Sequence, residues 1–543
     1  MFLVALDQTI IATALGKIVE EFNAFSSLSW IVTAYLLTTT VTVPIAGRLS
    51  DLFGRRVVLL TGVAIFVAGS LLSGISGSVT ELVAWRALQG IGGGIITANA
   101  FTIVGDLFAA RERARWQGLI GAVFGLSSII GPLLGGWLTD GQAFFGLTTD
   151  WRWTFYINVP IGIIAFIFIR IFCPPLKHEN KPVIDYAGAA LLTVLQGTLI
   201  LAVDNTDVIF AGFLDATGMS LVALRVILFS IVVLAIAAFV WVERKAKQPI
   251  LPIAFFKNAN YIKIIIIATL FGGSFMGSIL YLTQFNQQVF GASPTESGLM
   301  LLPMVGGLMF SSIGSGQLIS RIGKYKRLMQ VGFVIATIGM IALTTLGPDS
   351  MYIQEAIIMA FLGLGLGVAM PVLNLAIQNE FSQRELGAAT SSNQLFRSLG
   401  STIGTAVFGA VLTAGIVSHA ATIQDLPYLQ TISQNAEVSK LGDLGDANTL
   451  LNLNMPDVKS QVTAGANEAF DSLPAQVAGP AKAEFEAQQQ EFADEVVDAF
   501  SNSLRDIFVV AASLMGISTI LVFTLKERAL KTGKPGATPG EAH

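Results

Sequence analysis

The sequence has few of the residues from which enzyme sites are commonly built. Among its 543 residues there is one cysteine, Cys173, and there are three histidines, His178, His419 and His543. A single cysteine excludes a disulfide framework and a cysteine-rich metal site. There is no G-x-x-x-x-G-K-[ST] phosphate loop and no H-E-x-x-H zinc motif. The sequence therefore predicts a protein that is neither an enzyme nor an ATPase, and no metal site.

Charge is equally scarce. Only 13% of residues are charged and 53% are hydrophobic, whereas soluble domains carry about 25% charged residues. A membrane-spanning helix needs about 20 mostly apolar residues, and long uniform apolar runs indicate helices rather than barrel strands. Fourteen such runs predict an all-α polytopic membrane protein: 1–19, 28–49, 57–77, 80–104, 117–139, 153–173, 183–204, 221–242, 262–284, 297–319, 328–346, 353–377, 387–415 and 507–525.

The distribution of basic residues predicts the orientation of these spans. Most of the 32 Lys and Arg residues fall in segments that are cytoplasmic if both termini are inside. This is the bias of the positive-inside rule. No cleavable signal peptide is visible, so the first span is expected to serve as the targeting signal. We expect a multi-pass protein of the inner or plasma membrane with both termini in the cytoplasm.

Two short patterns recur along the chain. "GRLSDLFGRR" (47–56) is echoed by "GQLISRIGKYKR" (316–327), and "FAARE" (108–112) by "FSQRE" (381–385). The similar offsets of 269 and 273 residues indicate duplicated halves. Two six-helix bundles with two inserted helices account for the length, and parallel halves of this kind hold substrate between them near mid-depth.

The predicted organisation has six parts. They are an N-terminal six-helix bundle with a first helix that is short or truncated (1–175), two inserted transmembrane helices (176–258), five helices of the C-terminal bundle (259–415), an acidic extracytoplasmic loop (416–506), a last transmembrane helix (507–526) and a cytoplasmic tail (527–543). The loop carries 14 acidic and four basic residues. Two interpretations stay open for it: a solvated cap, or an outer gate or docking site for an envelope partner.

The first predicted span contains an acid, Asp7, within "MFLVALDQTI". Lys17, Glu20 and Glu21 mark the outer end of this span. Ten residues at about 1.5 Å each place Asp7 about 15 Å inward from Lys17, near mid-membrane. A carboxylate at that depth is costly and marks a functional site by default. We therefore expect Asp7 to bind and release protons.

"GRLSDLFGRR" follows the second span as a tight cytoplasmic turn with Gly47, Asp51, Gly54, Arg55 and Arg56. Glycines permit close approach, and Asp51 suits a facing helix N-terminus, where the dipole favours an anion. The cluster is predicted to latch the halves together on the inner face. The alternative is a topology anchor made only of arginines, which would need neither Asp51 nor the glycines.

These motifs resemble the major facilitator superfamily, in its fourteen-span drug:proton antiporter branch. "GRLSDLFGRR" resembles the loop between spans two and three. Four other stretches, "ALDQTIIATAL", "WRALQGIGGG" (85–94), "GLSSIIGPLLGGWL" (125–138) and "WRWTFYINVPIG" (151–162), resemble motifs of spans one, four, five and six. They occur in the family's order over most of the chain. The resemblance implies a proton-coupled exporter.

The resemblance assigns roles to residues in spans one and four. The family packs these spans together, so Arg86 is expected to face Asp7, with Gln89 beside it. Deprotonated Asp7 would pair with Arg86 or attract a cationic substrate, and protonation would release it. Substrate and proton would then exclude each other, which is antiport. The alternative is a structural Asp–Arg pair with no role in transport.

The fifth-span stretch resembles the family's antiporter motif through Gly131, Pro132, Gly135 and Gly136. Pro132 is expected to bend the helix. The glycines are expected to pack closely against a second-half helix and so to prevent proton leak. Ordinary packing of small residues is the alternative.

The sequence departs from the family pattern in three places. Ala12, Thr13 and Gly16 stand where the first-span motif usually has Asn and then Pro. Ser320 replaces the second-half counterpart of Asp51. Asp7 lies only six residues after Met1, so we expect either a late start or a first helix that is short at its inner end.

Further polar residues are predicted to line the substrate cavity: Thr9, Gln89, Gln284, Asn393 and Arg397. For Arg397 two interpretations stay open, an anionic substrate group or backbone carbonyls. No mid-depth acid is found in the second half, because the acids there fall near span ends: Glu296, Glu355, Glu380 and Glu385. With Asp7 the main mid-depth acid, neutral or monocationic lipophilic substrates are expected.

The predicted function is export of drugs or other lipophilic compounds against protons, by alternating access. The proton gradient replaces any cofactor, and the predicted partners are protons, the substrate and the lipid bilayer, without nucleic acid. Two alternatives stay open. One is export of a dedicated cargo such as a lipid, siderophore or self-made antibiotic. The other is a sensor or assembly protein that does not transport.

Overall fold

The structure is a computed structural model. It describes residues 1–22, 28–139, 143–144, 147–175, 185–203, 206–292, 294–382, 385–424, 426–432, 449–450, 453–454, 456–471, 474–528 and 530. These residues are almost entirely helical, and the predicted all-α fold class is confirmed. One small exception is an antiparallel pair, β1 (Ala143–Phe144) and β2 (Leu147–Thr148), in which Ala143 pairs with Thr148.

The first half contains seven helices, because the sixth span is preceded by one short turn of helix. They are α1 (Phe2–Phe22), α2 (Leu28–Phe53), α3 (Arg55–Gly74), α4 (Val79–Leu107), α5 (Ala110–Thr139), α6 (Trp153–Tyr156) and α7 (Asn158–Phe172). Local sequence fixes where α4 begins. The Ser78 hydroxyl accepts from the Glu81 amide, and the Glu81 carboxylate accepts from the Gly77 amide, which forms a capping arrangement.

The rest of the chain contains the inserted helices and the second half. The inserted segment has α8 (Tyr186–Val203), α9 (Thr206–Ile209), α10 (Ala211–Thr217) and α11 (Leu221–Glu243), followed by a short 3-10 helix (Ile253–Lys257). The second half has α12 (Ala259–Gln288), α13 (Pro294–Met300), α14 (Leu302–Ile322), α15 (Lys326–Leu343), α16 (Tyr352–Glu380), α17 (Leu386–Gln424), α18 (Pro427–Ile432), α19 (Pro456–Asp471) and α20 (Ala475–Thr524).

Thirteen helices within the described ranges are long and apolar enough to cross a membrane. The first helix, α1, is also 21 residues long, but its apolar stretch covers only Phe2–Ile11. Together these helices are consistent with the predicted fourteen spans. Many apolar side chains of α7 and α11 are exposed, as expected for helices that face lipid.

The two halves place a glycine with positive φ at the matching position of the echoed patterns. Gly54 has φ 95° before α3, and Gly323 has φ 74° after α14. Both φ angles are ones that glycine adopts without steric cost. The two turns differ in ψ, which is 138° at Gly54 and 11° at Gly323, so they share the need for glycine and not one turn geometry.

The halves meet through two symmetry-related helix pairs at their inner ends. In the first pair, α2 packs on α17, and a Cβ added at Gly47 would lie 2.5 Å from the Ser391 Cβ. In the second, α5 packs on α14, and a Cβ added at Gly316 would lie 2.5 Å from the Ala114 carbonyl oxygen. The inserted helices α8 and α11 pack beside α2 and α17 through an apolar cluster that includes Leu192.

The predicted acidic loop is largely helical where it is described. Helix α17 runs to Gln424, beyond the predicted end at 415, and α20 begins at Ala475 rather than 507. At 50 residues, α20 is about 75 Å long, so it projects well beyond the bilayer. Asn454 donates to Gln288 of α12 at 2.9 Å, which ties this outer segment to the second half. Its role as a docking site stays a prediction.

The single cysteine allows a direct test of orientation. Cys173 follows α7, at the end predicted to be cytoplasmic, and burial raises the pKa of its thiol. Because the thiolate is the reactive form, labelling by a membrane-impermeant maleimide should become faster as pH rises. We expect labelling of inverted vesicles and none of right-side-out vesicles.

Two variants complete this test. Cys173→Ser should remove all labelling. Thr148→Cys in that background, on the exposed outer strand β2, should reverse the sidedness. Labelling of Cys173 from outside would contradict the predicted orientation.

Candidate functional site

Asp7 and Arg86 form an ion pair inside the first half. Each side chain is 1% exposed, and Arg86 Nη1 lies 2.7 Å from Asp7 Oδ2. The sequence predicted these two residues and the pairing of α1 with α4. A buried pair of this kind is costly to break, by about 3–5 kcal/mol when one partner is removed.

Two amides complete the coordination of the Asp7 carboxylate. The Gln89 side chain donates from Nε2 to Asp7 Oδ1 at 2.8 Å. Its Oε1 accepts a hydrogen bond from Arg86 Nη1, also at 2.8 Å. Asn158 Nδ2 donates to the same Oδ1 at 2.9 Å and to the Ser70 hydroxyl at 3.1 Å. The network therefore joins α1, α3, α4 and α7. Asn158 lies in the quoted sixth-span motif, but sequence analysis assigned it no role.

Aromatic rings cover the Arg86 guanidinium. Its Cζ lies 4.2 Å from the centroid of Tyr35 and 5.7 Å from that of Phe155. Cation–π contacts stabilise a desolvated arginine by up to about 2 kcal/mol. Close packing of α2 on α4 permits this, because a Cβ added at Gly90 would lie 2.5 Å from the Tyr35 carbonyl oxygen.

The hydrogen bonds around Asp7 determine what a proton on its carboxylate would change. An ionised Asp7 accepts hydrogen bonds at both oxygens, from donors on α4 and α7. A protonated carboxyl carries a donor of its own and accepts less. Protonation therefore forces Arg86, Gln89 or Asn158 to reorient, and the change reaches several helices at once.

A second charged cluster lies at the inner end of α2. Arg55 Nε donates to Asp106 Oδ2 at 2.6 Å, and its other nitrogens contact Asp51 and the Ser50 hydroxyl. Arg55 is 1% exposed and both carboxylates are 5% exposed. Asp106, at the end of α4, was missed by sequence analysis, although it stands only two residues before Phe108 of "FAARE".

The same cluster touches the other half. A Cβ added at Gly387, in the first turn of α17, would lie 2.5 Å from Asp51 Oδ2. This places the carboxylate at a helix N-terminus, where the dipole favours an anion. Across the other helix pair, Arg111 Nε donates to the Ser320 carbonyl at 2.5 Å. The predicted latch residues Gly47 and Asp51 thus lie at the contact between the halves, and Arg55 holds Asp51 from within the first half.

Arg56 is placed differently from the prediction. Its guanidinium donates to the Arg170 carbonyl at the end of α7, within the same half. Arg56 therefore holds α3 to α7 and does not reach α17. Gly54 contributes through its positive φ at the start of α3, which turns the chain so that Arg55 points inward.

The predicted close contact of the fifth-span motif with the second half is wrong for two of its glycines. A Cβ added at Gly131 would lie 2.7 Å from Cβ of Thr9, on α1 of the same half, and one at Gly136 meets no atom within 4 Å. Gly125, one turn and a half earlier on α5, does face α14, 2.8 Å from Cγ of Met309. The helix backbone continues through Pro132 and Gly135 to Thr139.

Thr9 and Asn393, two of the predicted cavity residues, make local hydrogen bonds. The Thr9 hydroxyl donates to the Ser127 carbonyl at 3.0 Å. Asn393 Nδ2 donates to Asn374 Oδ1 at 2.8 Å, and its own Oδ1 has no hydrogen-bond partner among the described residues. Gln284 Oε1, near the end of α12, is also buried without a partner in the described part of the chain.

Arg397 lies on α17 with one side-chain partner. Its Nε and Nη2 donate to Gln394 Oε1 at 3.1 and 2.6 Å. No carboxylate lies within ion-pair distance of Arg397 in the described part of the chain, and both of these hydrogen bonds go to a side-chain oxygen and not to a backbone carbonyl.

Glu355 was judged from sequence to be an ordinary residue near a span end. The structure buries it completely, at 0% exposed, in the first turn of α16. Its carboxylate faces the Asn286 side chain, at 2.7 and 2.9 Å when the amide nitrogen is turned toward it. The position of Glu355 near the end of a predicted span therefore did not reveal that its side chain is buried.

The outer ends of α1 and α6 are joined by an exposed ion pair. Arg152 Nη2 lies 2.7 Å from Glu21 Oε1. The hydrogen bond from Arg152 lowers the pKa of Glu21 below its usual value. The contribution of this pair to stability is therefore present at neutral pH and is lost as pH falls through that lowered pKa.

Comparisons with known proteins agree with this architecture. Residues 1–405 match the Major Facilitator Superfamily. The chain is 39% identical over 469 residues to the multidrug transporter protein MdtP of Bacillus subtilis (strain 168), covering 86% of this chain and 84% of that relative. It is 36% identical over 411 residues to multidrug resistance protein 3 of the same organism, covering 75% and 77%.

Solved structures show the same fold. The proton:xylose symporter XylE aligns with a TM-score of 0.55 at 15% identity, covering 77% of this chain and 88% of that chain. At this identity the likeness concerns the fold alone.

The contact of Asp51 with α17 predicts that a methyl group added at Gly387 will separate the two halves at this point. Gly387→Ala places a Cβ against the Asp51 carboxylate, so the inner ends of α2 and α17 must separate. We expect faster cytoplasmic labelling of a cysteine placed at Ser391, in the Cys173→Ser background, by several-fold. Labelling rates in inverted vesicles measure this.

A matched glycine provides the control. A Cβ added at Gly314, on α14, meets no atom within 4 Å, so Gly314→Ala should leave the rate unchanged. An unchanged rate in Gly387→Ala, with the protein folded, would show that Asp51 does not hold this contact.

Proposed function

This chain belongs to the Major Facilitator Superfamily, and from that premise we propose that it exports lipophilic small molecules in exchange for protons by alternating access. It is a membrane transporter and not an enzyme. Relatives named as a multidrug transporter and a multidrug resistance protein support export of drug-like compounds. The proton gradient is the proposed energy source, and the cell membrane, with both termini cytoplasmic, is the proposed location.

The buried Asp7 network is the observation that carries the proposal. A carboxylate at this depth, held by donors from α4 and α7, has no evident use as a packing element alone. It is the kind of group that takes up a proton on one side of a membrane and releases it on the other. The reorientation of its donors provides a route from proton binding to helix movement.

The inner contacts between halves supply the alternating element. In this conformation α2 is held to α17 and α5 to α14 near the cytoplasmic surface. Rocking of the halves must break the contact of Asp51 with the first turn of α17. A rigid-body movement of this kind about a central site is how duplicated transporter halves exchange access.

The structure bears on the charge of the substrate. The sequence predicts neutral or monocationic substrates, because Asp7 is the main mid-depth acid and could bind one positive charge. Both Asp7 oxygens are already occupied by Arg86, Gln89 and Asn158. A cation would have to displace Arg86 from Asp7, whereas a neutral lipophilic compound need not. We therefore favour neutral over monocationic compounds.

Proton release on addition of substrate tests the proposal. Inverted vesicles that contain the full-length protein are energised, and acidification of the lumen is followed by a pH-sensitive dye. Addition of chloramphenicol, a neutral lipophilic drug, should release protons. In Asp7→Asn we expect this release to fall at least about tenfold, because the proton-binding group is lost and Arg86 is left unpaired.

Two further variants exclude a folding artefact. Asp7→Glu keeps a carboxyl group and should retain part of the response. Asp349→Asn changes an exposed acid between spans and should behave as wild type. Full coupled export by Asp7→Asn would contradict the role of Asp7. A response to a single host compound, and to none of a broad panel, would favour a dedicated cargo.

A further inference from the structure

Arg397 is a half-buried cation whose donors exceed the acceptors around it. A guanidinium has five N–H groups. Two nitrogens of Arg397 donate to one oxygen, Gln394 Oε1. No carboxylate lies within ion-pair distance of it in the described ranges. A cation removed from most of its solvent without a counter-charge is unfavourable unless another group supplies the charge.

The neighbouring amide adds to this imbalance. Because Gln394 turns its oxygen to Arg397, its nitrogen must point away. That Nε2 is buried and has no hydrogen-bond partner among the residues that the structure describes, and the whole residue is 4% exposed. Buried amides normally find an acceptor. Arg397 and Gln394 together therefore present several N–H donors and lack an acceptor.

These donors lie where a substrate of a two-bundle transporter is expected. Arg397 is eleven residues from the cytoplasmic start of α17 at Leu386, about 16 Å along the helix. Its backbone packs against Gly272 of α12. The next residue, Ser398, donates to Thr40 of α2 at 3.4 Å, across the boundary between the halves.

The balance of charge points to the sign of the ligand. Asp7 and Arg86 pair inside the first half, and Arg397 lies on α17 beside Ser398, which contacts α2 of the first half. Asp7 and Arg86 neutralise each other when Asp7 is ionised, and they leave one positive charge when it is protonated. With Arg397 added, the net charge of these three residues is positive in either state.

We propose that Arg397 and Gln394 bind an anionic oxygen group of the substrate, a carboxylate or sulfonate, so that the cargo includes lipophilic organic anions. Planar oxyanions match the fork of arginine, and charge-assisted hydrogen bonds are about twice as strong as neutral ones. The inference deepens the proposed export function by naming a substrate class. The earlier interpretation of Arg397 as a ligand of backbone carbonyls has no support in its hydrogen bonds.

A matched set of probes tests the charge preference by binding alone. Naphthoate, naphthylmethanol and naphthylmethylammonium share one ring system and differ in charge. Their affinities for the purified full-length protein are measured by equilibrium dialysis in detergent. We expect naphthoate to bind most tightly. In Arg397→Gln its affinity should fall roughly tenfold or more, as for loss of a hydrogen-bonded charge, while the alcohol should change less than about twofold.

Control variants separate this site from a general effect of charge. Arg225→Gln removes an exposed arginine on α11 and should leave all three affinities unchanged. Arg397→Lys keeps the charge without the fork and should bind naphthoate with intermediate affinity. Thermal unfolding and gel filtration of each variant confirm that it is folded.

The outcomes distinguish this inference from the proposed function. Equal affinities for the three probes, or an anion preference that survives in Arg397→Gln, would overturn the inference even if chloramphenicol export is coupled to protons. Loss of the preference in Arg397→Gln would support it even if no proton release is seen. In that case the proposed coupling, and not the binding site, would be wrong.

Discussion

The buried pair of Asp7 and Arg86 constrains the first half more than any other contact. Inside a bilayer an unpaired charge is costly, so separation of the helices that carry the two ionised groups is strongly unfavourable. Gln89 and Asn158 must reach the remaining carboxylate oxygen, which fixes α4 and α7 around α1. The ring of Tyr35 brings α2 into the same arrangement. The positions of four helices thus depend on one ion pair.

The pair is mechanically joined to the inner latch through single helices. Helix α4 carries Arg86 near its outer end and Asp106 at its inner end, twenty residues apart or about 30 Å. Helix α2 carries Tyr35 and Asp51 with Pro44 between them, and the proline removes one backbone hydrogen bond. Between Arg86 and Asp106 the sequence has no proline, so α4 is the more continuous of the two helices. Reorientation of Arg86 can therefore change the ion pairs of Arg55 with Asp51 and Asp106. Through Asp51 it can also change the contact with α17.

Sequence analysis predicted features that depend on position along the chain. The fourteen-span fold, the depth of Asp7 and the equivalence of Gly54 and Gly323 follow from spacing and charge. It missed features that depend on how helices are rotated against each other. Helix rotation decides that Gly131 faces Thr9 and not α14. It also buries Glu355, which residue counting placed near a span end, and brings Gly387 to Asp51 from a distant part of the chain.

The proposed anion site limits how protons and substrate can exclude each other. Protonation of Asp7 adds positive charge to the bundles, and by electrostatics alone this would strengthen, not weaken, binding of an anion near Arg397. By thermodynamic reciprocity the anion would then favour the protonated state. Exchange of an anion for a proton therefore cannot rest on competition for charge between the two sites. Exchange requires that the protonated form and the substrate-bound form prefer different conformations of the two halves. The contact of Asp51 with α17 is made in one arrangement of the halves and must break in another, so it can distinguish these conformations.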